Sequence, residues 1–225
     1  MHLDLESPPL SEHTLNLFGS KTRDQILRDS LLLFNEKGFH AVTTAAIAKG
    51  AGVLEGALWY HFPSKKDILL THIGLLKDVF EKTHSDVSEL DAKSVIQGVF
   101  DCYNLIWDFR YVLRDPFETL LAADDGVFDV VQKTNDFFDD WTVGRMLHAK
   151  ELGILNLPPE NMESTSEVIL LIGRYWLDFC NRKYPNQPDA FLRAKGMRLI
   201  VKTLEPHFEA QSLSWARQML LDMSR

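Results

Sequence analysis

Lys65 and Lys66 follow Ser64 at the start of a helical stretch, where two ammonium groups and a helix N-terminus together attract phosphate. Ten residues earlier, Glu55, Gly56 and Ala57 open another short helix with side chains that are small or polar. That is the surface a helix needs at its leading edge to enter the major groove of DNA, because bulk there would hold the backbone away from the base edges. Trp59, Tyr60 and His61 end the same helix and are left partly free. The chemistry in prospect is therefore non-covalent recognition of a polyanion.

Two elements must position these groups. Thr43 and Thr44 offer capping hydroxyls to a short helix of small residues that runs to Ala51 and stops at Gly52. A second, Leu54 to Phe62, ends before Pro63, and the pair has the lengths and the glycine turn of a helix-turn-helix. Ile47, Ala51, Val53, Leu58 and Phe62 can anchor the pair on a preceding helix. That helix begins at Ser20 or Thr22, carries Leu27, Leu31 and Phe34 on one face and ends at Gly38. Ser64 to Asp67 reads as a capping box for a longer helix with Leu69, Ile73, Leu76 and Phe80 in register. Spacing alone leaves open a helical hairpin that only packs.

The whole chain has 225 residues, a net charge of −8 and a sequence pI near 5.5. Residues 21 to 72 nonetheless hold seven Lys or Arg against five acids, and residues 1 to 20 hold three acids and no Lys or Arg. At physiological salt a Debye length is roughly 8 Å, so a local basic surface acts largely independently of distant acids. The 45% hydrophobic content excludes a disordered chain. Cys102 and Cys180 fit neither a metal knuckle nor a disulfide framework, which predicts a reducing, cytoplasmic location. The longest apolar runs fall short of the roughly 18 residues that span a bilayer, so no membrane partner is expected.

Residues 22 to 69, with Ile26-Leu27, Phe34, Gly38-Phe39, Thr43-Thr44, Ile47-Ala48, Ala51-Gly52-Val53, Leu58, Tyr60-His61-Phe62 and Lys65, resemble the DNA-binding domain of the TetR family of bacterial transcriptional regulators. The resemblance implies that Glu55, Gly56 and Ala57 read bases while Thr44, Tyr60, His61 and Lys65 hold phosphates. Two positions depart from the family pattern. Leu54 stands where a small hydroxyl residue is usual, which weakens the cap. Trp59 stands where a Tyr is usual, and its indole N–H can still donate to phosphate.

From residue 91 onward the pattern predicts only helices, at about 91–113, 116–124, 126–153, 161–183, 189–204 and 207–223. The fold class expected is all-α: a loose arm over 1–19, a three-helix helix-turn-helix domain over 20–70, and a larger helical domain over 71–225. Aromatic side chains crowd the last of these, with Asn104, Asn135, Arg145, His148, Arg174 and Asp178 beside them. Most such aromatics are core, but an apolar cavity with a few directing polar groups is what a small-molecule site requires. The resemblance implies an effector pocket here, and Tyr103, Trp107, Phe138, Trp141 and Trp176 are its candidate lining. Phe109-Arg110-Tyr111 with Arg114-Asp115 also resembles the C-terminal domain of one subgroup. Wide apolar arcs on the segments holding Val168 to Phe179 and Phe191 to Leu204 fit a homodimer, the assembly that the resemblance implies.

No HExxH, phosphate-cradling glycine loop, GxSxG or Cys/His metal set occurs, so no enzyme, metal or cofactor is expected. The resulting expectation is a homodimeric regulator, a repressor, that binds palindromic operator DNA and responds to a small, largely apolar or aromatic effector. The alternative is a helical ligand- or protein-binding module without sequence-specific DNA binding.

Overall fold

A computed structural model of the protein describes residues 10–85, 91–114 and 127–223. The described residues form α-helices with one short 3-10 turn and no strand beyond an isolated bridge between Leu155 and Phe208. The helix expected at 116–124, the break at Asp115-Pro116 and the aromatic residue Phe117 lie outside the described residues.

The chain divides into two compact units, Met1–Asp78 with Asp108–Gln132, and Val79–Trp107 with Lys133–Arg225. The first holds α1 (Glu12–Leu15), α2 (Thr22–Lys37), α3 (Thr44–Gly50), α4 (Glu55–His61), most of α5 (Lys65–Ser85) and α7 (Tyr111–Arg114). Ile26, Leu27, Leu31 and Phe34 of α2 are buried with Ile47 of α3, Leu58 of α4, Phe62, and Ile68 and Ile73 of α5. Each such side chain stabilises the unit by about 1.5–3 kcal/mol relative to exposure, which is why two helices of only seven residues hold their place. Gly38 and Gly52 adopt φ of 80° and 66°, the left-handed backbone that lets α2 and α3 stop.

Thr43 caps α3 by accepting from the Ala46 amide, and Ser64 accepts from the Asp67 amide at the start of α5. Lys21 and Leu54 occupy the cap positions of α2 and α4 without a side-chain cap. Of the arm expected to be loose over 1–19, residues 1–9 lie outside the described residues, and the rest is partly ordered: α1 is capped by Ser11, with Leu10 and Thr14 buried.

The segment expected as one helix over 91–113 is instead α6 (Ala92–Asp108), a two-residue break and α7. The cause is Asn35 of α2: its amide donates to the Asp108 carbonyl at 2.6 Å, and its oxygen accepts from the Tyr111 N–H at 3.1 Å. Those bonds replace the ones a continuing helix would make. The Asp108 carboxylate accepts from the Ser11 N–H and hydroxyl at 2.8 and 2.5 Å. His72 of α5 is fully buried beside Phe34, Phe109 and Tyr111. Its Nε2 donates to the Leu27 carbonyl at 2.9 Å, so Nδ1 accepts from the Tyr111 hydroxyl at 2.8 Å. Burial lowers the imidazole pKa to about 4, the Leu27 bond opposing.

The second unit holds the remainder of α5, nearly all of α6, α8 (Val127–Glu151) from Lys133 onward, α9 (Pro159–Lys183), α10 (Asp189–Leu204) and α11 (Ala210–Met223). Its core gathers Val95, Ile96, Phe100 and Tyr103 with Ala149, Met197, Ile200, Ala216 and Leu220. Gly196 allows close contact there, because a Cβ would run into the Tyr103 hydroxyl and the Trp176 indole.

Candidate nucleic-acid interface

The Ile47, Leu58 and Phe62 side chains point α3 and α4 inward, and the opposite side of α4 is left to solvent. Glu55 and Gly56 are exposed and Ala57 is half-buried. A Cβ at Gly56 would meet nothing within 4 Å, so the first turn of α4 is an open edge. Leu54, just ahead of it, is 83% exposed, and Tyr60 at the other end is 85% exposed. Trp59 is exposed as well, and the Tyr60 and His61 rings meet edge to face at 5.1 Å. Exposure of three large apolar or aromatic side chains around one short helix needs a reason, since such surface is normally buried.

Thr44 and Glu55 meet directly, the hydroxyl donating to the carboxylate at 2.7 Å. The bond ties the start of α3 to the start of α4 and orients the one acid on the open edge. Lys65 has a different direction from the outward one that a phosphate contact needs. Its ammonium donates to the carbonyls of Phe39 and Val42 at 2.7 and 2.9 Å and of His40 at 3.4 Å, and lies 4.5 Å from the Phe39 ring centroid. Lys65 therefore pins the loop that delivers Thr43 to its capping position. Among the eight residues picked for DNA, the structure brings Glu55, Gly56, Ala57, Trp59, Tyr60 and His61 onto α4, with Thr44 bonded to its first turn, and turns Lys65 toward the loop.

The sequence reading missed Arg23 and Lys49. Both are exposed, and the Arg23 guanidinium sits 4.9 Å over the ring of Phe62, the residue that ends α4. The local basic excess was the available signal, but a count cannot say which bases face solvent.

In the second unit, the five candidate ligand residues separate into three groups. Trp107 donates to the Asp189 carboxylate at 2.5 Å and Trp176 to the Leu192 carbonyl at 2.9 Å, so both indoles fasten helices together. Tyr103 is in the core beside Gly196, where burial pushes its phenol up, with Cys180 adding to the effect. Phe138 and Trp141 instead meet Phe80 of α5, each at 4.8 Å between ring centroids. No helix among the described residues is long and apolar enough to cross a membrane, and no group of three metal-ligating side chains occurs among them.

The family model "Bacterial regulatory proteins, tetR family" matches residues 26–71, and "Bacterial transcriptional repressor" of the TetR type matches residues 78–214. The HTH-type transcriptional repressor KstR2 of Rhodococcus jostii is 34% identical over 95 residues, 41% of this chain and 46% of the relative. The icaADBC negative regulator IcaR of Staphylococcus aureus is 41% identical over 46 residues, 20% of this chain and 25% of the relative. The matched stretches thus span less than half the length of these curated relatives. A TetR-family regulator from Marinobacter aquaeolei superposes with a TM-score of 0.69 at 22% identity, over 91% of this chain and 100% of that one. KstR2 of Mycobacterium tuberculosis gives 0.58 at 20% identity, over 85% and 97%. With an open-edged helix-turn-helix in its first unit and family matches running from residue 26 to residue 214, the chain belongs to the TetR family of bacterial regulators.

Proposed function

We propose that the protein is a homodimeric transcriptional repressor that reads a palindromic operator with α4 and is released from it by a small effector bound in the second unit. The observation that carries this reading is the first turn of α4, where Gly56 faces open space between exposed Glu55 and half-buried Ala57. Tyr60, His61 and Trp59, with the exposed Arg23 and Lys49, supply donors for phosphate, and Thr44, whose hydroxyl is given to Glu55, is left its backbone N–H at the start of α3. Lys65 contributes its charge and the loop it holds. Relatives named as repressors or negative regulators favour repression.

Pairing is supported by an exposed apolar stripe. On α9 Val168, Leu171, Tyr175 and Phe179 recur at helical spacing, and on α10 Phe191 and Leu199 are exposed too. Two heads on one dimer meet half-sites one DNA turn, roughly 34–36 Å, apart. The effector acts by preferring one of two conformations of the dimer, and a coupling of about 1–3 kcal/mol changes DNA affinity some 5- to 150-fold. Helix α5 is continuous from Lys65 to Ser85 and contributes residues to both units, which makes it the covalent route for that coupling.

The test is selection of bound sequences from a random DNA pool by the purified protein, followed by anisotropy titrations across salt. The expected result is a two-fold symmetric sequence whose affinity falls by about three orders of magnitude between ~50 and ~200 mM salt. Recovery of no preferred sequence would leave a helical binding module without operator recognition.

A further inference from the structure

Helix α8 turns three polar side chains toward the interior of the second unit. Trp141, Arg145 and His148 stand at i, i+4 and i+7, one face of a helix. Arg145 is buried, and its guanidinium lies 5.2 Å from the Trp141 ring centroid. The Trp141 Nε1 and the His148 Nε2 are both sealed from solvent and make no hydrogen bond to any of the described residues. His148 does face Glu151 through Nδ1, at 3.7 Å. An indole N–H can only donate, so what it lacks is an acceptor, and leaving a buried donor unmet costs stability.

The surroundings are apolar. Phe80 packs edge-on against both Trp141 and Phe138, and Cys102 of α6 lies close enough to Arg145 to influence its ionisation. Burial draws the guanidinium below its ordinary value, with Cys102 opposing. One turn before Cys102 on α6, Gly98 is half-buried, yet a Cβ built there would meet nothing within 4 Å. A buried cation, an indole N–H without an acceptor and aromatic walls are complementary to one kind of molecule, an apolar body that ends in an anion.

We propose that the Trp141, Arg145 and His148 face of α8 binds the carboxylate of an amphipathic acid, with its aromatic or aliphatic body against Phe80 and Phe138. This deepens the effector half of the proposed function and rests on it. The carboxylate oxygens accept from the Arg145 guanidinium and the Trp141 indole, and His148 Nε2 borders the same group. A matched amide can still accept through its carbonyl oxygen from the indole and the guanidinium but forfeits the ion pair with Arg145.

Calorimetric titration with phenylbutyrate and decanoate, each against its primary amide, tests the assignment. The acid binds tighter than the amide by about tenfold or more in the natural protein, and Arg145→Gln reduces the difference to about threefold or less. Arg145→Lys keeps a preference for the acid. Trp141→Phe, which removes the N–H and part of the ring surface but keeps an aromatic side chain, weakens the acid by about three- to tenfold while the acid remains preferred over the amide through Arg145, and it decides the matter if Arg145→Gln fails to fold. Equal affinities for acid and amide, an unchanged preference in Arg145→Gln, or no binding of either acid would overturn the site. Operator binding by the ligand-free protein is followed in parallel. Operator binding with no response to either acid refutes the acid site alone, whereas acid binding without any operator refutes the regulator reading alone.

Discussion

At Gly56 stability and the proposed entry into the DNA groove make opposite demands. A glycine inside a helix is less favourable than alanine by about 0.8–1 kcal/mol, and none of the described residues occupies the space that a side chain at Gly56 would fill. Gly56→Leu is therefore expected to leave the melting midpoint unchanged or slightly raised while abolishing operator binding in an anisotropy titration. Full binding by this variant would remove α4 from the groove. Lys65 argues the other way round. Its ammonium meets three carbonyls of the 39–42 loop, so Lys65→Ala removes bonds from a charged donor, worth about 1.5–3 kcal/mol in typical cases. Urea unfolding should show that loss, and affinity for all DNA sequences should fall with it, because the loop carries the cap of α3. A variant of unchanged stability with weakened DNA binding would return Lys65 to direct phosphate contact.

At the scale of elements, the join between α6 and α7 is held into the first unit by Asn35, His72 and Ser11. His72 makes this join sensitive to acid. The unfolded imidazole takes up a proton near pH 6.5, whereas the buried one resists until about pH 4. Between those values the unfolded chain binds more protons, so stability falls as the pH falls, by about 3 kcal/mol across the window. Denaturant midpoints measured from pH 7 to pH 4 should converge for the natural protein and His72→Gln; a gap that stays constant would show that His72 does not titrate as described. This join was not legible in the sequence, because Asn35 and Tyr111 lie 76 residues apart and neither breaks a helical period. Leu27, Leu31 and Phe34, Gly38, Gly52 and the Thr43 cap were legible, since periodicity, left-handed backbone and capping are local properties. The direction of Lys65 and the use of Trp107 and Trp176 as fasteners depend on partners distant in sequence, which an aromatic or basic count does not contain.

At the scale of the whole molecule, the proposed pairing through the exposed stripe on α9 and α10 would decide whether one head or two act together. Leu171 is 55% and Tyr175 65% exposed, and with Val168 and Phe179 they line successive turns of α9. In an isologous interface each residue meets the same surface of its twin, so a carboxylate placed on the stripe appears twice and loses hydration without a partner. Leu171→Glu is accordingly expected to convert a dimer into a monomer in analytical ultracentrifugation. Because Leu171 is more than half exposed in the single chain, the fold should survive with its helical circular dichroism intact. The proposed dimer would present its second head at a high effective concentration once the first has bound, an advantage that commonly reaches 10²- to 10⁴-fold. The monomer should therefore retain weak binding to an isolated half-site but lose about two orders of magnitude or more on the full operator. Leu171→Ala, which trims the stripe without charging it, should fall between the two. If Leu171→Glu stays dimeric with undiminished operator affinity, pairing runs through another surface, and the apolar side chains of α9 must be covered by something else.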